Sequence, residues 1–360
     1  MTEALSTTSP SIAPQTAERP EYRGAFSGAI LNIDTAAEAA RIAAAIRKQV
    51  WETLRRRGVV VGLSGGIDSS VVAALCVRAL GKDKVLGLMM PEHHSAGDSL
   101  RLGRAVAEVL GIETLVEDIT PALEGAGCYR RQEAAIRSVV AQYGIKWKCK
   151  LVLPSLLEGE RLNVMRLTVQ QPGGRRFTVR LTAEAYLQLV AATNYKQRVR
   201  KMTEYYHADR LHYAVAGTPN RLEYDQGFFV KQGDGAADIK PIAHLYKTQV
   251  YQLAAHLDIP QEIRARPSTT DTYSMEQTQE EFYFALPYHH MDLCLYAYNH
   301  QVPAAVVAAE LGLALEQVQR VYRDIEAKRR ATRYLHTASL LVDPVNEVDP
   351  SCAVLPASSI

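Results

Sequence analysis

The feature that most constrains the fold is the stretch at residues 58–70, GVVVGLSGGIDSS. Three consecutive valines at 59–61 form a short apolar run, which is typical of a strand buried on both faces. In the Ser-Gly-Gly turn at 64–66, backbone N–H groups can approach an anion closely because the glycines carry no side chains. Asp68 then opens an apolar segment that suits a helix, and the first N–H groups of a helix attract anions. The pattern therefore predicts a phosphate-binding strand, loop and helix.

Spacing excludes the two commonest glycine-rich phosphate loops. The Walker pattern Gly-x-x-x-x-Gly-Lys-Ser/Thr is absent, and the Rossmann pattern Gly-x-Gly-x-x-Gly does not fit. The stretch instead resembles the Ser-Gly-Gly-x-Asp-Ser pyrophosphate loop of the ATP pyrophosphatases, which cleave ATP between its α and β phosphates. An ordinary strand-to-helix turn is the alternative, but such a turn has no use for the Ser, Asp and Ser side chains.

Composition narrows the class of protein. The 360 residues are 47% hydrophobic, enough for a large core, and a formal net charge of +2 gives no electrostatic footprint for nucleic acid. Five scattered cysteines without a Cys-x-x-Cys pair favour reduced thiols in the cytoplasm and argue against a zinc site. No apolar run is long enough to span a membrane. We therefore expect a cytoplasmic protein that binds neither nucleic acid nor membrane.

Alternating patterns predict an α/β fold with a doubly wound parallel sheet, whose ligands bind at the carboxyl ends of the strands. A Thr-x-x-Glu capping box at Thr35 begins the first helix. The predicted helices cover residues 34–57, 69–81, 98–110, 121–141 and 183–207, and the predicted strands cover 58–62, 84–90, 113–118 and 210–217. The polar stretch at 217–240 is predicted to be a long functional loop.

One domain is predicted over residues 26–342, between disordered tails at 1–25 and 343–360. Within it, residues 145–182 break the alternation with strand-like segments and a strong turn signal at 171–174, which predicts a β-hairpin insertion. From Tyr246 onward the pattern is mainly helical.

Several separated motifs together resemble the NAD synthetase family, whose members amidate nicotinic acid adenine dinucleotide. Besides the SGGIDS loop, these motifs are GTPNRLE at 217–223, the segments 227–242 and 245–250, NYKQRVR at 194–200 and PSTTD at 267–271. The likeness runs from about residue 30 to 330, apart from the insertion. It implies the fold of the adenine nucleotide alpha hydrolases, with a helical C-terminal part.

The chemistry of such a ligase explains the residue types. A carboxylate does not react with ammonia at neutral pH, whereas an acyl-adenylate does, and its formation releases pyrophosphate from ATP. Because charge accumulates on the phosphates, positioning and charge neutralisation do most of the catalytic work. The predicted catalytic residues are Asp68, Lys247 and Thr218, and the predicted ATP contacts are Gly62, Ser64, Gly65, Gly66, Asp68, Ser69, Met90, Thr218, Lys247 and Thr269.

Asp68 and Glu223 are the predicted Mg²⁺ ligands, because hard carboxylate oxygens suit a hard cation that bridges phosphates. The resemblance places four further residues around the dinucleotide: Asn194, Arg198, Asp234 and Asp238. Each residue has a plainer alternative. Lys247 could be a surface lysine, Glu223 could cap a helix locally, and Arg198 could lie on a solvated helix face.

Departures from the family pattern concentrate on the side that meets the acid. Pro219 replaces a small residue, Met89 stands where many members carry arginine, and Gln279 replaces an aspartate. The acid substrate is therefore nicotinic acid adenine dinucleotide or, as the alternative, another carboxylic acid activated in the same way. A third interpretation, an ATP sensor or a tRNA-thiolating protein, lacks the paired cysteines and basic surface that thiolation needs.

The resemblance also implies partners and one mutational outcome. Because no glutaminase portion is recognised, we expect free ammonia or ammonia from a separate glutaminase, and the family suggests a homodimer. Replacing Asp68 with Ala is expected to abolish adenylate formation and to leave the fold intact, since a polar loop residue contributes little packing.

Overall fold

The computed structural model describes residues 26–95, 97–153, 165–269, 272–343 and 345. The predicted tail at 1–25 lies outside the described residues, and so does that at 343–360 apart from residues 343 and 345. Residues 154–164 of the insertion and 270–271 of the PSTTD motif also lie outside them.

The elements follow the predicted alternation. The strands are β1 (Val59–Gly62), β2 (Val85–Met89), β3 (Glu113–Val116), β4 (Lys148–Val152), β5 (Arg166–Gln170), β6 (Arg176–Arg180) and β7 (Ala214–Ala216). The helices are α1 (Thr35–Arg47), α2 (Ile67–Leu80), α3 (Gly97–Leu110), α4 (Thr120–Gly125), α5 (Cys128–Arg137), α6 (Ala183–Leu211), α7 (Arg221–Gln226), α8 (Lys247–His256), α9 (Gln261–Ala265), α10 (Tyr288–Asn299), α11 (Ala304–Leu311) and α12 (Leu315–His336). A π-helical turn, Lys48–Thr53, extends α1, and a second, Glu280–Phe284, precedes α10.

The central sheet is parallel, with strand order β3-β2-β1-β7, which confirms the predicted doubly wound fold. Val60 pairs in register with Leu86 of β2 and Val215 of β7, and all three are fully or almost fully buried. Val59 and Val61 face a core shared with α1, α2, α3 and α8, whereas Val60 faces a core shared with α4 and α6. The valine run is apolar throughout because helices cover both faces of the sheet.

Three predicted features differ from the structure. The first helix is capped by the Asp34 carboxylate, which accepts from two N–H groups of the first turn, and the predicted capping box at Thr35 is wrong. The helix predicted over 121–141 is divided into α4 and α5, because Gly127 adopts a left-handed backbone with φ of 70°. The stretch predicted as a loop over 217–240 contains the short helix α7, capped by Asn220. Six residues with Leu222 as the one buried apolar side chain are too few to show a helical hydrophobic period, so the pattern did not reveal this helix.

The insertion contains a three-stranded antiparallel sheet in the order β4-β5-β6, which is larger than the predicted hairpin. β5 and β6 are joined by the predicted turn, in which the N–H of Gly174 donates to the carbonyl of Gln171 at 3.0 Å. The inner face of this sheet buries Leu151 and Leu167 against Leu189 of α6. The insertion therefore shares a core with the main domain.

The outer edge of β4 is joined to the segment at residues 274–281. The N–H of Met275 donates to the carbonyl of Cys149 at 3.1 Å, and the N–H of Leu153 donates to the carbonyl of Glu281 at 3.2 Å. The hydroxyl of Ser274 accepts from the N–H of Cys149 at 2.9 Å. These bonds connect the insertion to the segment that leads into α10.

The C-terminal helices α10, α11 and α12 form a separate core around Met291, Val318 and Ile325, which are all fully buried. This helical part was predicted from the sequence. Among the helices that the structure describes, none is long and apolar enough to cross a membrane.

Candidate active site

A cavity of about 440 Å³ lies at the carboxyl ends of β1, β2 and β7, where a doubly wound sheet is expected to bind its ligand. It is bordered by the loop after β1, the middle of α6 and the segment at 227–234. The predicted site residues that line it are Gly62, Ser64, Gly65, Gly66, Asp68, Ser69, Met90, Asn194, Thr218, Glu223, Asp234 and Thr269.

The loop between β1 and α2 is held by its own serines and by close packing. The hydroxyls of Ser64 and Ser69 lie 3.2 Å apart, and the Ser69 hydroxyl donates to the carbonyl of Gly66 at 3.0 Å. Gly65 has φ of 74°, and a Cβ built there would lie 2.8 Å from the Cβ of Leu102 on α3. Only glycine fits this turn without displacing α3, so the loop packs directly against α3.

Asp68 and Lys247 form a buried ion pair at the floor of the site. Asp68 lies in the first turn of α2, and Lys247 is the first residue of α8. The Lys247 ammonium donates to one oxygen of Asp68, and the side-chain amide of Asn220 donates to the other at 3.1 Å. Lys247 is only 1% exposed, which excludes the alternative of a surface lysine.

Asn220 connects the two predicted metal ligands. Besides bonding Asp68, its side-chain oxygen accepts from the N–H of Glu223 at 3.2 Å, and its own N–H donates to the Glu223 carboxylate at 3.0 Å. This is a capping box at the start of α7, which confirms that Glu223 caps a helix locally, while its metal role stays a prediction. One buried asparagine thus fixes both carboxylates.

The electrostatics of this group are strongly perturbed. Burial raises the pKa of Glu223 to about 8, and the nearby Asp68 carboxylate adds to the rise. Burial opposes the charge on Lys247, but the carboxylates of Asp68 and Glu223 outweigh it and raise the Lys247 pKa. Two acidic groups therefore compete for one ammonium in a poorly solvated place, a situation that an added cation would relieve.

Asp292 on α10 supports the same group and was not found from the sequence. Its side chain is fully buried, and its carboxylate accepts from the N–H groups of Lys247 at 3.1 Å and Thr248 at 2.7 Å. It also accepts from the Thr248 hydroxyl at 2.7 Å. A carboxylate at the N-terminus of α8 is favourable and holds Lys247 in place. No local pattern shows this, because Asp292 is more than 40 residues from its partners.

Two further polar contacts line or border the cavity. The amide of Gln279, which departs from the family pattern, donates to the remaining Glu223 oxygen at 2.8 Å. On α6, the buried side chains of Lys201 and Glu204 form an ion pair at 2.5 Å, and Glu204 lies against Gly62. Their spacing of three residues on one helix is typical of an ion pair, so this contact could have been predicted from the sequence.

Three predicted residues do not line this cavity. Lys247 instead borders an adjoining cavity of about 240 Å³, on the other side of its ion pair with Asp68. Arg198 is exposed on α6 and donates to the carbonyl of Lys231 at 3.3 Å. The Asp238 carboxylate accepts from the N–H of Val215 at 2.7 Å, so it secures the end of β7.

The chain is similar to known proteins in sequence and in fold. A sequence model of the family described as NAD synthase matches residues 38–144 and 164–332, and the unmatched residues between them include β4. The NH(3)-dependent NAD(+) synthetase of Mesorhizobium japonicum is 68% identical over 318 residues, which cover 88% of this chain and 100% of that protein. The enzyme of that name from Methanocaldococcus jannaschii is 34% identical over 292 residues, covering 81% of this chain and 91% of that protein.

Solved structures show the same fold. The NMN synthetase from Francisella tularensis superposes with a TM-score of 0.58 at 22% identity, covering 86% of this chain and 99% of that one. The NH3-dependent NAD synthetase from Campylobacter jejuni gives 0.56 at 20% identity, covering 86% and 100%. Because the family model matches residues 38–144 and 164–332, and the Mesorhizobium japonicum relative is 68% identical over 88% of this chain, the chain belongs to the NAD synthase family.

Proposed function

We propose that this protein catalyses the ATP-dependent amidation of nicotinic acid adenine dinucleotide to NAD, with ammonia as the nitrogen donor and AMP and pyrophosphate as products. The observation that carries the proposal is the buried array of Lys247, Asp68, Asn220 and Glu223 beside the phosphate loop. Relatives up to 68% identical that are named NH(3)-dependent NAD(+) synthetase support the choice of acid and of ammonia.

ATP is the co-substrate that the phosphate loop receives. The first N–H groups of α2 have no partner within the helix and carry its positive partial charge, so they attract the phosphates. On the opposite wall, the buried hydroxyl oxygen of Ser268 has no hydrogen-bond partner among the described residues, and a phosphate oxygen would satisfy it. Lys247 borders the adjoining cavity, so its positive charge would act on the leaving pyrophosphate across its ion pair with Asp68.

Asp68 and Glu223 fit a Mg²⁺ site. The described residues contain no group of three or more His, Cys, Asp or Glu side chains placed to hold a metal ion. Mg²⁺ is commonly bound by one or two carboxylates together with substrate phosphates, so two are enough. When bound, Mg²⁺ would neutralise charge on the phosphates, and it would relieve the repulsion that raises the pKa of Glu223.

The reaction proceeds in two steps at this cavity. The carboxylate of the substrate attacks the α-phosphorus of ATP, the bond to the β-phosphate breaks, and pyrophosphate carries the charge away. Ammonia then attacks the acyl carbon, AMP leaves, and the nitrogen loses a proton to form the amide. The protein contributes mainly orientation, because both partners are held in one enclosed space.

The four predicted dinucleotide contacts divide into two groups. Asn194 and Asp234 line the cavity, where we propose that they hold the end of the substrate that reacts. Arg198 and Asp238 lie outside it, so they would contact only a part of the dinucleotide that extends beyond the cavity.

We also propose that the protein forms a homodimer through α6. Three large apolar side chains on this helix are well exposed, with Leu187 at 64%, Met202 at 62% and Tyr206 at 65%. A partner's helix would cover this surface, which lies beside the substrate contacts. Sedimentation should give a dimer for the native protein and a monomer for a Met202→Glu variant; a native monomer would refute the proposal.

Pyrophosphate release tests the activity directly. The purified protein is given ATP, Mg²⁺ and ammonium with nicotinic acid adenine dinucleotide, its mononucleotide analogue or other carboxylic acids. We expect rapid release with the dinucleotide and formation of NAD. Rapid release with another acid alone would favour a different ligase of the family, and binding of ATP without turnover would indicate a sensor.

A further inference from the structure

Lys196 is a buried lysine in the middle of α6 to which neither the phosphate chemistry nor the motifs assign a role. It is 1% exposed, and its ammonium has three acceptors, each at 2.9 Å. These are a carboxylate oxygen of Glu92, Nδ1 of His94 and the carbonyl of Thr272. An ammonium has three N–H donors, so the group is fully satisfied in this one arrangement.

Glu92 is equally enclosed. Its side chain has no exposed surface, and its second oxygen accepts from the hydroxyl of Tyr129 at 2.7 Å and from the N–H of His94 at 3.0 Å. The Glu92 N–H in turn donates to the Ser95 hydroxyl at 2.9 Å. The loop after β2 is therefore folded around the ion pair.

The three acceptors of Lys196 come from two segments far apart in the sequence. Glu92 and His94 follow Met90 after β2, while Thr272 lies three residues beyond Thr269 in the sequence and itself lines the cavity. Lys196 itself is two residues beyond Asn194 on α6. Both proposed ATP contacts and the proposed dinucleotide contact line the same cavity. One ammonium thus joins the three parts of the wall that carry them.

We propose that Lys196 is a positioning residue for the amidation, which sets the distance between the two nucleotide-binding loops and the substrate helix. The proposal rests on the proposed function for the identity of the substrate, whereas the contacts around Lys196 are independent of that function. The Lys196 ammonium keeps all three acceptors only when the two loops and α6 lie at one spacing, so the cavity keeps the shape in which ATP and acid meet.

The free energy of a buried ion pair indicates that Lys196 and Glu92 serve positioning and contribute little to stability. Removing two charges from water is expensive, and replacing a buried ion pair by apolar residues of similar volume is often neutral or even stabilising. Removing one partner alone, in contrast, leaves an uncompensated buried charge. A double replacement can therefore separate the fold from the function.

The test compares a Glu92→Leu/Lys196→Met double variant with the native protein. We expect its melting temperature to stay within a few degrees of the native value. We also expect binding of a non-hydrolysable ATP analogue, measured by calorimetry, to weaken at least tenfold, and KM for the dinucleotide to rise. A Lys196→Arg variant, which keeps the charge, should recover part of the affinity. As a control, Glu133→Gln, which removes only the exposed ion pair with Arg137 on α5, should change neither quantity.

Two results would overturn the proposal. Native binding and turnover in the double variant would show that the spacing does not depend on Lys196. Failure of the double variant to fold would show that the pair serves stability. An inactive native protein with the dinucleotide would instead refute the proposed function, and the ATP-analogue measurement would still decide the role of Lys196.

Discussion

Replacing Asp68 separates stability from chemistry at the centre of the site. From the sequence alone, an Asp68→Ala variant is expected to keep its fold, but the ion pair seen in the structure predicts a loss of stability. Asp68 lies in the first turn of α2 and pairs with Lys247, whose side chain is 2% exposed. The truncation would leave a buried ammonium with only the more distant Glu223 as counter-charge.

The magnitude follows from these contacts. Breaking a buried ion pair by removing one partner costs about 3–5 kcal/mol. Loss of an acidic group from the first turn of a helix adds about 0.5 kcal/mol. Asp68→Asn keeps the shape and one acceptor oxygen for Lys247, but its NH2 group meets the Asn220 donor, so we expect it to lose about 2–3 kcal/mol, less than Asp68→Ala. Both variants lose the negative charge, so pyrophosphate release should fall about 10³-fold in each, equivalent to about 4 kcal/mol.

Urea unfolding followed by circular dichroism gives the stabilities, and pyrophosphate release gives the rates. An Asp68→Ala/Lys247→Met double variant closes the cycle, and it should be more stable than Asp68→Ala alone because no charge is left unpaired. Native stability in Asp68→Ala would refute the buried-pair argument. A normal rate in Asp68→Asn would refute the catalytic role of the carboxylate.

Three further predictions concern residues in or near the cavity. Asn220→Ala loses a helix cap and a bond to Asp68, so urea unfolding should show a loss of about 2 kcal/mol and pyrophosphate release should fall at least tenfold. Burial lowers the pKa of His94 from 6.5 to about 4, so only the unfolded chain takes up this proton as pH falls between those values. Stability should therefore drop between pH 7 and 4.5 by about 2 kcal/mol more in the native protein than in His94→Gln; equal drops would contradict the assignment. Gly65→Ala combines a left-handed backbone with a close contact to Leu102, and it should cost about 2 kcal/mol or more and abolish calorimetric ATP binding; unchanged binding would show that the loop can shift.

The parts of the fold that local pattern determines were predictable. The valine run, the Ser-Gly-Gly turn and the apolar helix after it are consecutive, and each has its own period, so β1, the loop and α2 could be placed from the sequence. The parallel direction of the strands follows from the same alternation of strands and helices, whereas their order in the sheet was not predicted. The residues of the GTPNRLE motif could also be placed beside the loop, because both follow strands whose carboxyl ends share one edge.

Contacts between distant residues could not be predicted. Asp292 and Lys196 are each polar residues in helices, where a solvated position is the usual expectation, and only the packing of several elements buries them. Helix α7 is different, because Asn220 and Glu223 have the spacing of a capping box. That signal was present, and it was obscured by the glycine-rich composition of the stretch that follows.

The main-chain bonds along the free side of β4 make the insertion part of the catalytic architecture. β4 contributes Leu151 to the cavity lining. Main-chain hydrogen bonds also hold the segment at residues 274–281 against β4, and Gln279 of this segment donates to Glu223. A shortened protein that joined α5 directly to α6 would leave the main chain of residues 274–281 without these hydrogen-bond partners. It would also lack the Leu151 side chain in the cavity wall. An insertion that looks dispensable in the sequence therefore supports the segment that lines the site.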